Sequence, residues 1–267
     1  MMRSRTARTV AAGAAVAALV AIPAVAAAVV ALPPRTPVVA GAADSYSFAT
    51  TLPSYWTAVA VRPQSGVDDD ISLVDPATGG ALSSSIWGGS ATDLIAINSG
   101  YRPPGSYLGN VSKYSGSGVH SVMFWENREV MGVPTNPTGG TSTAIGLNFA
   151  WPVRTMQVYM QAGEGFRVNH HTDMRVYLAG STPGVPSTYI RNRTSLENAY
   201  VVADNVPSPT GSVCRVFQVP STGWYSVILI WNTPWTTPPY NGGFAAFPQR
   251  YSPSLGDPLN ACPAPGP

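Results

Sequence analysis

The chain reads as an all-β protein: two tandem antiparallel β-sandwich units, jelly-roll-like in build, following a signal peptide. Three observations carry that reading. Charged residues are only 10% of the chain, against about a quarter in ordinary globular domains. Gly and Pro number 26 each, so the chain is cut into short segments by turn residues. Beyond residue 43 no stretch sustains helical spacing, while short alternating or β-branched runs recur between Gly, Pro, Asn and Ser.

The first element is a leader, residues 1–42. Arg3, Arg5 and Arg8 precede VAAGAAVAALVAIPAVAAAVVAL (10–32), which carries no charge, and small residues follow. A basic start, an apolar stretch and an A-x-A site form a secretory signal. Two such sites compete, Ala24-Val25-Ala26 and Ala40-Gly41-Ala42; the second is preferred because DSYSF beyond it opens the first strand-like pattern. The apolar run is long enough to span a bilayer, but it is mostly alanine around a central Pro23. Export with cleavage is therefore expected, giving a secreted, bacterial cell-surface or extracellular protein, with the membrane involved only through an uncleaved leader. The leader holds Arg3, Arg5, Arg8 and Arg35 and no acid, so the formal charge of +2 belongs to it and the remainder is net acidic. Nucleic-acid binding, which needs a basic face, is disfavoured.

Strand-like runs then follow in order. YWTAVAV (55–61), DISLV (70–74), TDLIAI (92–97) and SVMFW (121–125) make the first unit, residues 43–135. NPTGGTST, within the linker 136–143, separates it from a second unit at 144–232, with RTMQVYM (154–160), DMRVYL (173–178), CRVFQV (214–219) and WYSVILIW (224–231). The order repeats. YSF (46–48) precedes TAVAV as LNF (147–149) precedes MQVYM; Asp70-Ile71 matches Asp173-Met174; Gly105 and Tyr107 match Gly223 and Tyr225. Three matched strands in one order predict a duplicated unit of about 90 residues. A Pro-rich tail, 233–267, ends the chain. Cys214 and Cys262 suit one disulfide in an oxidising compartment. Closing that loop of about 49 residues is worth about 4 kcal/mol in the chain-entropy account, and it would tie the tail back onto the second unit.

Each unit runs strand, strand, acidic turn, D-[IM]-x-[LV] strand, long loop, G-x-Y strand. Asp70, Ile71, Leu73, Asp75 and Pro76, then Gly105, Tyr107 and Val111, carry this pattern in the first unit. Asp173, Met174 and Val176, then Gly223, Tyr225 and Val227, carry it in the second. The pattern resembles the bacterial pre-peptidase C-terminal domain, over about two-thirds of the chain. Ser72 and Arg175 stand where that family tends to have a second acid. The resemblance implies a calcium-tolerant β-sandwich accessory module rather than an enzyme.

Residues that could carry chemistry are few. YSGSGVH (114–120) puts Ser117 near His120, but a Gly-Ser hairpin turn accounts for it, and no G-x-S-x-G elbow exists. For zinc, His171 and Asp173 share a strand face and His120 would have to come from the other unit; the tight spacing of zinc signatures is missing. GVDDDISLVDP holds Asp68, Asp69, Asp70 and Asp75. On an extended strand Asp68 and Asp70 share one face and Asp69 the other, and Asp75 lies roughly 16 Å beyond Asp70. A local catalytic acid pair is therefore not expected. A solvated hairpin tip is, with the alternative of a weak Ca²⁺ site at Asp68 and Asp70 completed by carbonyls or a neighbouring loop. No cofactor other than Ca²⁺ is expected. Trp231, Trp235, Tyr240 and Phe244, in a Pro-rich stretch, form a candidate glycan platform, against a packing role under the tail. The function expected is non-catalytic binding or assembly at a cell surface or outside the cell, with cell-wall polysaccharide or another secreted protein as partner. The alternative is a carbohydrate-binding module or a divergent secreted hydrolase.

Overall fold

A computed structural model describes residues 29–41, 44–51, 56–98, 104–126, 129–130, 145–147, 150–171, 174–180, 189–190, 204–207, 212–219, 221–231 and 244–251. Among the described residues there is no helix; the chain is all-β. The strands are β1 (Val29–Ala31), β2 (Val38–Ala40), β3 (Ser45–Ala49), β4 (Trp56–Pro63), β5 (Asp68–Val74), β6 (Ala81–Ser85), β7 (Asp93–Asn98), β8 (Ser106–Ser115) and β9 (His120–Glu126). They continue with β10 (Ile145–Leu147), β11 (Val153–Met160), β12 (Gly165–His171), β13 (Met174–Gly180), β14 (Tyr189–Ile190), β15 (Asp204–Pro207), β16 (Ser212–Gln218), β17 (Gly223–Trp231) and β18 (Phe244–Tyr251).

These form four sheets, ordered β1-β3-β8-β5-β6, β14-β7-β4-β9-β2, β11-β17-β13 and β10-β18-β12-β16-β15. All pairings between them are antiparallel except β1 with β3. Side-chain alternation explains how the sheets stack. Val59, Val61, Ile95, Ile97, Val122 and Phe124 pack against Tyr46, Phe48, Ile71, Leu73 and Tyr107 of the β3-β8-β5 sheet. The intervening residues Ala58, Ala60, Leu94, Ala96, Met123 and Trp125 point the other way, onto Val153, Tyr177, Ile228 and Ile230. The far face of that third sheet, with Met156, Val158, Met174, Tyr225 and Leu229, meets Val168 of β12. Four layers therefore enclose three cores, and both inner sheets are apolar on both faces. This is why β4 and β17 read as near-continuous apolar runs rather than alternating ones.

The pairing pattern repeats along the chain. The β3-β8-β5 sheet matches β11-β17-β13, and β2-β9-β4-β7 matches β10-β18-β12-β16. Tyr107, opposite Phe48, then corresponds to Tyr225, opposite Val158. The correspondence corrects the sequence alignment at its first step: β11 answers β3 rather than β4. With the tyrosines aligned, Ile71 opposite Val111 answers Val176 opposite Leu229, two residues from the match made on Asp70 and Asp173.

The segments read as leader and tail both contain strands. Residues 29–41 do not lie outside the fold. β1 and β2 are paired, Leu32 is buried in the first core, and Arg35 donates its backbone N–H to Phe124. Cleavage after Ala42 would strip all of this away; residues before 29 lie outside the described residues. The 233–267 segment is more than a tail, because β18 sits between β10 and β12 in the last sheet. Its Pro248 stands opposite Val168 of β12.

Contacts between the inner sheets go beyond apolar packing. Trp56 Nε1 donates to Gly180 O at 3.1 Å and Thr155 Oγ1 to Trp125 O at 3.2 Å. The buried Arg62 guanidinium lies 4.4 Å above the Trp231 ring, a cation–π geometry that desolvation strengthens. Arg35 and Arg154 flank Trp125 at 5.6 and 5.5 Å and both bond Glu129. β14 crosses over as well, pairing with β7.

Candidate functional site

The acidic run opens β5, where a bulge between Asp68 and Asp69 breaks the strict alternation expected of a straight strand. The three adjacent aspartates consequently have three different surroundings. Asp69 points inward with Ile71 and is fully buried; its Oδ2 lies 3.2 Å from His120 Nδ1, and His120 Nε2 lies 3.1 Å from the Tyr46 hydroxyl. A carboxylate only accepts, so the network assigns the Nδ1 proton to the bond with Asp69 and makes Tyr46 the donor to Nε2. Burial first, then the charges of Asp44 and Asp69, push the Tyr46 hydroxyl up to about 12.

Asp70 is half-buried opposite Ser112, and its carboxyl is raised by burial first and then by Asp68 and Asp69. Asp68 is buried at the bulge, with Oδ1 lacking a hydrogen-bond partner among the described residues. Asp75 turns away: it caps its own turn by accepting from Ala77 N at 2.9 Å, as turn aspartates do.

Asp93, at the start of β7, joins this group and was not singled out by the sequence. It is fully buried; Oδ1 accepts from Ser85 Oγ and, at 2.8 Å, from Trp87 N, while Oδ2 has no partner among the described residues. Burial pushes its carboxyl up to about 7 against the lowering hydrogen bonds from Ser85 and Trp87, with Asp70 and Asp68 adding to the rise. The only sequence signal was a lone acid at the head of an apolar strand.

Other candidate residues separate. Ser117 is exposed on the connection between β8 and β9, while both ring nitrogens of His120 are committed in the core. That connection is a crossover between two sheets rather than a hairpin, since β8 and β9 lie in different layers. His171 ends β12, in a sheet separated from His120 by the β11-β17-β13 layer, so the two are not brought together. Asp173 lies outside the described residues. Among the described residues no three His, Cys, Asp or Glu side chains converge as a metal set.

Of the glycan-platform residues, Trp231 is 1% exposed and packed in the last core beneath Arg62. Its strand is the centre of a sheet covered on both faces, so the ring has no free side. Phe244 begins β18; Trp235, Tyr240 and Cys262 lie outside the described residues. Cys214 stands in β16 opposite Asn169.

An aromatic pair does reach solvent elsewhere. Tyr159 and Trp224 are direct neighbours across β11 and β17, their rings 5.4 Å apart at 68°, with 44% and 37% exposure. By alternation they lie on the same face as Ile228 and Ile230. Set edge to face, they form a partly exposed ledge. Compared with family models and with curated proteins, the chain matches none.

Proposed function

We propose that the chain is an exported, non-catalytic β-protein that works by binding outside the cell or at its surface, with cell-wall polysaccharide as the partner class. The observation that carries this reading is the Tyr159–Trp224 ledge. Tyr and Trp together bring large flat faces with a polar handle at little entropic cost, and such rings stack against the apolar face of a sugar. Two large aromatics half in water on a β-ladder gain little from staying there unless something covers them. The resemblance to pre-peptidase C-terminal modules supports an accessory role as well. It also keeps assembly with another secreted protein as the outcome to distinguish.

Sedimentation of the purified protein with insoluble cell-wall polysaccharide tests the reading. Saturable co-sedimentation is expected, falling at least tenfold in Tyr159→Ala/Trp224→Ala while the circular dichroism spectrum is unchanged. Equal sedimentation of the native protein and the double variant, or none by either, would overturn it.

The divergent-hydrolase alternative has one supporting observation, the raised carboxyl of Asp93, since perturbed acids gather at active sites. Both Asp93 and its neighbour Asp68 are buried, however. That arrangement is read differently below.

A further inference from the structure

We propose that Asp68 and Asp93 together hold a calcium ion beneath the turn at 86–90. The pair differs from the one suggested by sequence, because Asp93 replaces Asp70, and it does not depend on the polysaccharide reading.

Two buried carboxylate oxygens carry the argument. Asp93 Oδ1 is engaged by Ser85 and by the N–H of Trp87, which leaves Oδ2 on the opposite side of the carboxyl with no partner among the described residues. Asp68 Oδ1 is likewise buried without one, and Asp68 Oδ2 lies 3.6 Å from where a Cβ on Gly88 would sit. Trp87 and Gly88 are consecutive, so one oxygen of each carboxyl group reaches the same turn. Ser90 Oγ, accepting from Gly66 N at 3.1 Å, pins that turn to the connection between β4 and β5.

An unpaired polar atom buried in this way is costly, and more so when it is charged. Protonating Asp93 relieves one oxygen but not the other. The chain's single lysine does not help, since Lys113 Nζ donates to Gly41 O at 3.1 Å and Gly118 O at 2.7 Å. Asp70 and Asp68 both raise Asp93 through their charge, so the acids lie near enough to feel one another. A hard divalent cation relieves both oxygens at once. All-oxygen ligation excludes a preference for zinc or copper. Two carboxylates, with carbonyls and water filling a shell of 6–8 oxygens, suit calcium better than the strict octahedron of magnesium.

Calorimetric titration of the chelator-treated protein with CaCl₂, paired with thermal melting, tests the site. The expected result is saturable binding with a dissociation constant of about 10⁻⁴–10⁻³ M, the range of extracellular calcium modules, and a rise in melting temperature with calcium. Asp93→Asn and Asp68→Asn should each weaken binding at least tenfold, whereas Asp75→Asn should bind as the native protein does. Should Asp93→Asn fail to fold, Asp68→Asn alone decides. No heat and no melting shift at millimolar calcium, or affinity retained within threefold by a folded Asp68 or Asp93 variant, would overturn the proposal. Failure here leaves the polysaccharide assay unaffected, because its variants lie on a different sheet.

Discussion

Asp69 and Met174 occupy equivalent places in the two halves of the fold: Asp69 stands opposite Lys113 in the β5–β8 pair, and Met174 opposite Trp231 in the β13–β17 pair. Tyr46, opposite Gly109, likewise answers Met156, opposite Val227. Two members of the buried Asp–His–Tyr network in one core, Asp69 and Tyr46, are thus matched by methionines in the other. The fold does not require the polar group at that position. Breaking such a network should cost much more than removing it whole. Asp69→Ala should lose about 3–5 kcal/mol in denaturant unfolding. The triple change Tyr46→Met/Asp69→Met/His120→Leu should cost clearly less than that single one. A triple variant less stable than Asp69→Ala would show that the network is itself a source of stability.

The same network sets an alkaline limit. Tyr46 has a folded-state value of about 12, above its ordinary 10.0, so folding favours its neutral hydroxyl. That contribution is whole below pH 10 and is lost as the pH rises toward 12. Stability should fall across this window, with Tyr46 supplying up to about 1.4 kcal/mol per pH unit. Tyr46→Phe should flatten the slope between pH 10 and 12 even if the variant is weaker at neutral pH. An unchanged slope would remove Tyr46 from the account.

Gly116 and Gly79 both have positive φ, at 82° and 69°, but only Gly116 is crowded. A Cβ there would fall inside contact of the Gly66 carbonyl oxygen, which is backbone and cannot swing aside; at Gly79 nothing lies within 4 Å. Gly79→Ala should cost about 1–2 kcal/mol, the left-handed penalty alone. Gly116→Ala should cost about 2–4 kcal/mol because overpacking is added. Equal costs by chemical denaturation would show that the crossover can relax.

The middle core predicts cooperative unfolding. Met123 and Trp125 from one half and Ile228 and Ile230 from the other share it, so neither half has a complete surface alone. Calorimetry should give one transition with equal calorimetric and van't Hoff enthalpies. The fragment 29–135 should be insoluble. A soluble, monomeric fragment with a native near-ultraviolet spectrum would show that the interface is dispensable.

N-terminal sequencing of exported protein checks the start of the fold. Because Leu32 is buried and β2 pairs with β9, the mature chain should begin before Val29, as use of the Ala24-Val25-Ala26 site would produce. A mature terminus at residue 43 would show instead that β1 and β2 are lost on export.

Period-two patterning made most strands legible: the runs at 55–61, 70–74, 92–97, 121–125, 154–160, 173–178 and 224–231 all lie in strands or overlap them closely. The missed strands have physical reasons. Val29–Ala31 and Val38–Ala40 are continuous in composition with an apolar leader, and β18 carries a proline, which argues against a strand when sequence alone is read. Stacking order was illegible because a doubly covered antiparallel strand has no polar face to mark it. Asp68 stood out within an acidic run. Asp93, some twenty-five residues further on, reaches the same turn only through the pairing of two sheets, and no spacing rule encodes that meeting.

The crossing strand β14 and the shared middle core have a consequence for the order in which the protein is made. Ala58, Ala60, Leu94, Ala96, Met123 and Trp125 are complete once residue 126 has been synthesised, yet their cover includes Ile228 and Ile230, about a hundred residues later. At about 5–20 residues per second that delay lasts roughly 5–20 s. During it the nascent first half holds an apolar face and a β7 edge whose described cover in the finished fold has yet to be made. Whatever escorts the chain must shield that face until the second half arrives.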